Sequence, residues 1–290
     1  MEKRILSDHL IEAYNSWLYQ NEKSRGTIQK YNYYLRQLQK YADGQEITKE
    51  LLLQWKGILK TELSSCAVNG ALAAINGFLH FAEWDHCAVK LLKVPRQVFC
   101  AKRRELSKEE YQRLIEAAEQ MGNTRMALLL QTVCSTGIRI SELSYITVEV
   151  LERQYAEVDC KGKIRKIFLT DRLCRMLKAY AEQKHITEGM IFITRTGKAM
   201  DRSNIWREMK KIGACAGVAQ EKVFPHNLRH LFARVYYSQE KDLLRLSDVL
   251  GHSSINTTRI YTMESGENHI RQLEKLDLLA GDYNRIPLLL

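Results

Sequence analysis

Over residues 7–22, SDHLIEAYNSWLYQNE, apolar side chains return every three or four positions (Leu10, Ile11, Tyr14, Trp17, Leu18) behind a Ser or Asp cap, which predicts an amphipathic helix. The same period runs through SRGTIQKYNYYLRQLQKYA, with Ile28, Tyr31, Tyr34, Leu35, Leu38 and Tyr41 on one face and Lys30, Arg36 and Lys40 on the other. ITKELLLQWKGILKTEL and CAVNGALAAINGFLHFAEWD predict two more helices, the second carrying Gly70, Ala73, Ala74 and Gly77, small enough for a neighbouring helix to come close. Nothing here alternates with the period of a strand, so residues 1–95 read as an all-helical domain.

KVPRQVFCAKRRELS then breaks the period with Pro95 and gathers Arg96, Lys102, Arg103 and Arg104, which reads as a basic linker over residues 96–105. A second domain, 106–290, opens with a capping box of Ser107 and Glu110. TRMALLLQTVCSTG predicts an apolar helix closed by Gly137, leaving Arg139 in the turn that follows. YAEVDC, KGKIRK and IFLT read as strand, basic turn and strand, a hairpin whose loop presents Lys161, Lys163, Arg165 and Lys166. Residues 171–185 read as helix and IFIT as a short strand. RSNIWREMKKIGACAG reads as a helix exposing Arg202, Arg207, Lys210 and Lys211. Pro225 suits a first helical turn, which puts His226 and Arg229 on one face and Leu228, Leu231, Phe232 and Val235 on the opposite stripe. NHIRQLEKLDLL predicts a last amphipathic helix bearing Ile270, Leu273, Leu276 and Leu278. The fold class is thus mainly α, with one small β-hairpin in the second domain.

Composition narrows the chemistry. Lys plus Arg number 44 against 34 Asp plus Glu, and a net charge of +10 favours an anionic partner, most often nucleic acid, although solubility alone accounts for it as well. Seven cysteines, odd in number and never spaced CxxC, read as reduced and mostly buried thiols. No Cys/His spacing suits zinc, so no metal is expected, and no other cofactor is expected either. MEKRILSDHLIEAY has no apolar signal core and no long apolar run occurs, so a cytoplasmic protein is expected.

Candidate chemistry gathers in Pro225 to Tyr261, PHNLRHLFARVYYSQEKDLLRLSDVLGHSSINTTRIY. Arg139, Arg229, His226 and His252 are donors able to hold a phosphate, and Tyr261 is a nucleophile beside them. Each alone has an ordinary reading: a helix-end arginine, a capping histidine, a half-buried tyrosine. Together, TGIRISEL, CKGKIRK, PHNLRHLFA and LGHSSINTTRIYT resemble the tyrosine recombinase (phage integrase) family, most closely its Xer-like members. The 26 residues from His226 to His252 and the 9 from His252 to Tyr261 suit that pattern, and the likeness spans residues 106–278.

The resemblance implies an all-helical, SAM-like core-binding domain followed by an α+β catalytic domain. It implies that Arg139 and Arg229 clamp the scissile phosphate, that His252 bonds a non-bridging oxygen, and that His226 is an acid/base or phosphate contact. Lys161 becomes the acid for the leaving 5′ oxygen, in preference to Lys163, and Tyr261 the nucleophile of a 3′-phosphotyrosyl bond. Thr27, Lys30, Tyr31, Arg104, Lys163, Arg165, Lys166 and Arg202 become contacts to double-stranded DNA bearing inverted-repeat core sites. The expected assembly is a homo-tetramer, with a paralogous recombinase as an alternative partner, and the C-terminal helix as donor into a neighbouring subunit. No additional arm-binding domain is expected ahead of the helical domain. Asn227, Leu231 and Cys160 depart from the usual residues without removing a catalytic group. Two rival readings stand beside this one: a non-catalytic DNA-binding regulator of the same fold and a type IB topoisomerase-like relaxing enzyme.

Overall fold

Ser7, Ser24, Thr48 and Ser64 each turn a side-chain oxygen onto a backbone N–H of the following turn, satisfying a donor that a helix start leaves open. They begin α1 (Asp8–Gln20), α2 (Arg25–Ala42), α3 (Lys49–Glu62) and α4 (Ser65–Phe81). The inward faces of these helices, Ile11, Tyr14, Leu18, Leu35, Leu38, Leu52, Trp55, Leu72, Ile75 and Phe78 among them, form one core. The computed structural model describes residues 3–94, 105–160, 163–252, 254–261 and 273–276. Its chain divides into two compact units, Met1–Arg96 and Gln97–Leu290.

In the second unit the Ser107–Glu110 capping box is formed in both directions and starts α5 (Lys108–Gln120). α6 (Thr124–Thr136) is the central helix, buried from Met126 to Leu130 and packed against α5 and against α8 to α10, defined next. After it come a 3₁₀ turn (Ile140–Tyr145), α7 (Val148–Arg153), the antiparallel pair β1 (Tyr155–Cys160) and β2 (Lys163–Phe168), and α8 (Asp171–Gln183). α9 (Arg202–Cys215), α10 (Pro225–Glu240), α11 (Leu243–Leu250) and α12 (Ile255–Arg259) complete it. No described helix is long and apolar enough to cross a membrane.

The hairpin corrects the expected one. KIRK is strand, not turn: β2 begins at Lys163, with Val158 opposite Arg165 and Glu157 opposite Lys166. Strand alternation then decides direction, because Arg165 shares a face with buried Ile167 while Ile164, Lys166 and Phe168 point outward. Arg165 is therefore turned into the protein, where it bonds Glu142 and the Val249 carbonyl, and is not presented on a solvated turn. IFIT is not a strand either; Ile193 makes an isolated bridge to Ala199. Cys87 and Cys174 are buried as expected, whereas Cys66 and Cys215 are exposed. Of the last expected helix, only 273–276 is described, with Leu273 and Leu276 exposed. Ile270 and Leu278, and all of the linker except Glu105, lie outside the described residues.

Candidate active site

Gly137 ends α6 in the left-handed region at φ 65°, and a Cβ there would stand 2.5 Å from Phe232 of α10. The chain can turn tightly there because the residue is glycine, and the turn delivers Arg139. Its backbone N–H and its Nη1 both donate to the carboxylate of Glu142, at 2.9 and 2.8 Å. Glu142 is buried, and it also receives Arg165 from β2. One carboxylate thus holds two guanidinium groups. Arg139 keeps 36% of its side chain exposed, so it presents free surface to a cleft of about 480 Å³. Arg202, His226 and Arg229 line the same cleft.

Pro225 stands at the first turn of α10 and aims the next residues at that cleft. Arg229 is only 2% exposed. Its Nη1 donates to Gly137 O at 2.5 Å, its Nη2 to Leu250 O at 2.7 Å and to His252 Nε2 at 3.0 Å. Burial, and next the charge of Arg139, lower its pKa to about 10. His226 keeps surface open to solvent while its ring packs edge-on against that of His230, centroids 4.6 Å apart. Desolvation, then Arg229, Arg139 and Arg202, lower the His226 pKa.

The last carbonyls of α11 would be open acceptors at the negative end of a helix dipole. Three guanidinium groups from three elements take them: Arg165 bonds Val249 O at 2.6 Å, Arg229 bonds Leu250 O, and Arg139 reaches Gly251 O at 3.4 Å. Gly251 is left-handed at φ 62°, and a Cβ there would run into Cδ of Arg165. This anchored turn fixes His252. Because Arg229 can only donate, His252 Nε2 is an acceptor, and its Nδ1 carries the proton toward Thr258 Oγ1 at 2.8 Å. Burial foremost, then Arg229, Arg139, Arg165 and His226, lower the His252 pKa to about 4.

Tyr261 follows α12 and is 4% exposed, packed with Ala233, Leu246 and Leu250. Its ring stacks on His252 at 5.9 Å and meets His230 edge-on at 4.6 Å. Its hydroxyl faces Arg229 and favours that group's positive charge.

The structure therefore brings Arg139, Arg229, His226, His252 and Tyr261 into one contiguous cluster, with Arg202 on the wall of its cleft. Lys161, Arg104 and the side chain of Lys163 lie outside the described residues. Lys166 sits half-exposed over the Tyr155 ring at 4.5 Å. Thr27, Lys30 and Tyr31 belong to α2 in the other unit: Thr27 bonds the Ser24 cap, Lys30 is exposed and Tyr31 packs partly on the core. The sequence pattern assigned no role to Glu142, His230 or Thr258, and it placed Arg165 on a DNA-facing turn rather than against Glu142. Glu142 and His230 had a signal in their spacing, three residues after Arg139 and four after His226; Thr258 had none.

Residues 104–267 match the sequence model of the phage integrase family. Tyrosine recombinase XerA of Pyrococcus furiosus is 26% identical over 97% of this chain and 98% of its own. Tyrosine recombinase XerD of Chlamydia trachomatis is 30% identical over 58% of this chain and 60% of its own. Among solved structures, XerH bound to difH substrate in a pre-cleavage complex aligns with a TM-score of 0.68 at 22% identity, over 87% of this chain and 79% of that one. A lambda integrase dimer bound to a COC′ core site aligns with a TM-score of 0.72 at 17% identity, over 88% and 94%. At such identities the structures speak for the fold. The family match covers more than half of the residues, including every member of the cluster around Arg229, and the chain belongs to the phage integrase family.

Proposed function

We propose that this chain is a site-specific DNA recombinase that cuts and rejoins strands through a 3′-phosphotyrosyl intermediate. The observation that carries the reading is the packing of Tyr261 against Arg229 and His252, beside a cleft into which Arg139 opens. A phosphodiester gathers charge on its non-bridging oxygens as it is attacked, and fixed guanidinium and imidazole donors stabilise that charge without reorganising. Arg139 is open to the cleft; Arg229 exchanges a protein partner for a phosphate oxygen. The Tyr261 hydroxyl passes its proton to a neighbouring base as its oxygen attacks phosphorus. The P–O5′ bond breaks, and Lys161 or a neighbouring acid protonates the leaving 5′ oxygen. The phosphotyrosine conserves the bond, so a 5′ hydroxyl can later attack it and release Tyr261.

The relatives named tyrosine recombinases, and the DNA named in the XerH and lambda integrase structures, support double-stranded DNA as substrate. In this reading the helical unit is the core-binding domain, with Thr27, Lys30 and Tyr31 on its DNA face. Four copies hold two duplexes. The test is a nicked duplex carrying the inverted repeats that the protein footprints, from which the cleaved fragment diffuses away. The intact chain accumulates a covalent adduct, and Tyr261→Phe binds equally but forms none. An intact chain that binds and never forms an adduct would leave the regulator reading standing, and relaxation of supercoils on arbitrary DNA would favour the topoisomerase.

A further inference from the structure

Thr258 is fully buried, lies three residues before Tyr261, and has no place in the steps above, yet its hydroxyl is the Nδ1 partner of His252. His252 faces a conflict that the geometry makes explicit. Here Nε2 accepts from Arg229, so the proton sits on Nδ1. To bond a phosphate oxygen, the same Nε2 must carry a proton, and the neutral ring must then leave Nδ1 bare. A carboxylate or carbonyl at Thr258 would serve only the first form, because it cannot donate. A hydroxyl serves both, since it accepts from Nδ1–H and, rotated, donates to a bare Nδ1.

We propose that Thr258 is the positioning residue that holds His252 through a reversal of its tautomer when phosphate replaces the Arg229 contact. The inference rests on the recombinase reading for its consequence in catalysis, but its structural core concerns only His252, Thr258 and an oxyanion. The step balances: Nε2 takes a proton from solvent, Nδ1 returns one, the Thr258 hydroxyl turns from acceptor to donor, and the ring's charge is unchanged. The groups facing His252 are Arg229 and His226 on α10, Arg139 before the 3₁₀ turn, Arg165 on β2 and Tyr261 after α12. The cations among them disfavour an imidazolium, which would otherwise offer both N–H groups and make the hydroxyl's second role unnecessary. The lowered pKa of His252 agrees with a ring that works neutral.

Two measurements on the full chain test this. With histidines labelled in ¹⁵N, long-range ¹H–¹⁵N spectra read the protonated nitrogen of His252, assigned by loss of its signals in His252→Asn. The expected result is Nδ1–H in the free protein and Nε2–H at saturating inorganic phosphate. A ring that keeps Nδ1–H, or shows no response to phosphate, overturns the proposal. Single-turnover cleavage of the nicked duplex then separates positioning from packing. Thr258→Val, nearly the same shape, cleaves about a hundredfold more slowly at unchanged DNA affinity, the scale of one lost oxyanion donor. Thr258→Ser, which keeps the hydroxyl, stays close to the unmodified chain in both the spectra and the rate. Cleavage by Thr258→Val at the unmodified rate overturns the proposal. Absence of any adduct from the unmodified chain is a failure of the recombinase reading instead, and leaves the tautomer result to stand or fall by the spectra.

Discussion

Arg139 and Arg165 share the Glu142 carboxylate, and Arg165 and Arg229 hold consecutive carbonyls of α11, so the site's charges are fixed to one another before any DNA arrives. Glu142 is 2% exposed, and removing one partner of a buried ionic cluster leaves the others uncompensated. Glu142→Ala is therefore expected to lower the stability of the second unit by about 3 kcal/mol in urea titrations, and to slow cleavage further than that loss explains because Arg139 is released. A loss below about 0.5 kcal/mol, the size of a surface substitution, would show that the carboxylate is not shared as described. At this scale the sequence picks out Arg139, Arg229, His252 and Tyr261 by residue type and spacing, and the structure brings them into one cluster. It misled for Arg165. A lysine- and arginine-rich stretch looks like a solvated loop until the partner carboxylate, 23 residues away in the chain, is known.

At the scale of elements, the lesson is in the hairpin and in two glycines. KIRKIF alternates, and counting back from buried Ile167 would have turned Arg165 inward, but the charges hid a strand behind the appearance of a turn. Helices were far more legible, because each cap and apolar stripe is local: Ser107 with Glu110, Gly137 after Thr136, Pro225 before His226. Gly137 is where an element boundary becomes a site. Its φ of 65° is unfavourable for any side chain, Cβ would meet Phe232 at 2.5 Å and Leu250 at 3.0 Å, and its own carbonyl is the one that Arg229 Nη1 holds. Gly137→Ala is expected to cost about 3 kcal/mol, combining left-handed backbone strain with overpacking, and to reduce cleavage. Ile164→Thr, on the outward face of β2 at 73% exposure, is the control that changes unfolding midpoint little.

For the whole molecule, the division into Met1–Arg96 and Gln97–Leu290 follows from two separate apolar cores, visible in sequence as a run of helices, a proline break and a new capping box. Acid should act mainly on the second. His230 and His252 both fall to about 4 from an unfolded value near 6.5, so the unfolded chain binds more protons between those values. Their contribution is complete above pH 6.5 and is lost as pH falls toward 4. Urea midpoints of the second unit should decline over that window, and His230→Asn should flatten the decline; a midpoint constant from pH 7 to pH 4.5 would contradict the buried neutral histidines. The covalent bond between Tyr261 and a 3′ phosphate is tested most directly by peptide mapping. The full chain is incubated with the nicked duplex in EDTA, digested, and the peptide bearing nucleotide is sequenced by mass spectrometry. The result expected is a 3′-phosphoryl nucleotide on Tyr261 with a free 5′ hydroxyl on the released fragment. Attachment at another residue, a 5′-phosphoryl linkage, or an adduct that forms only with divalent metal would contradict it.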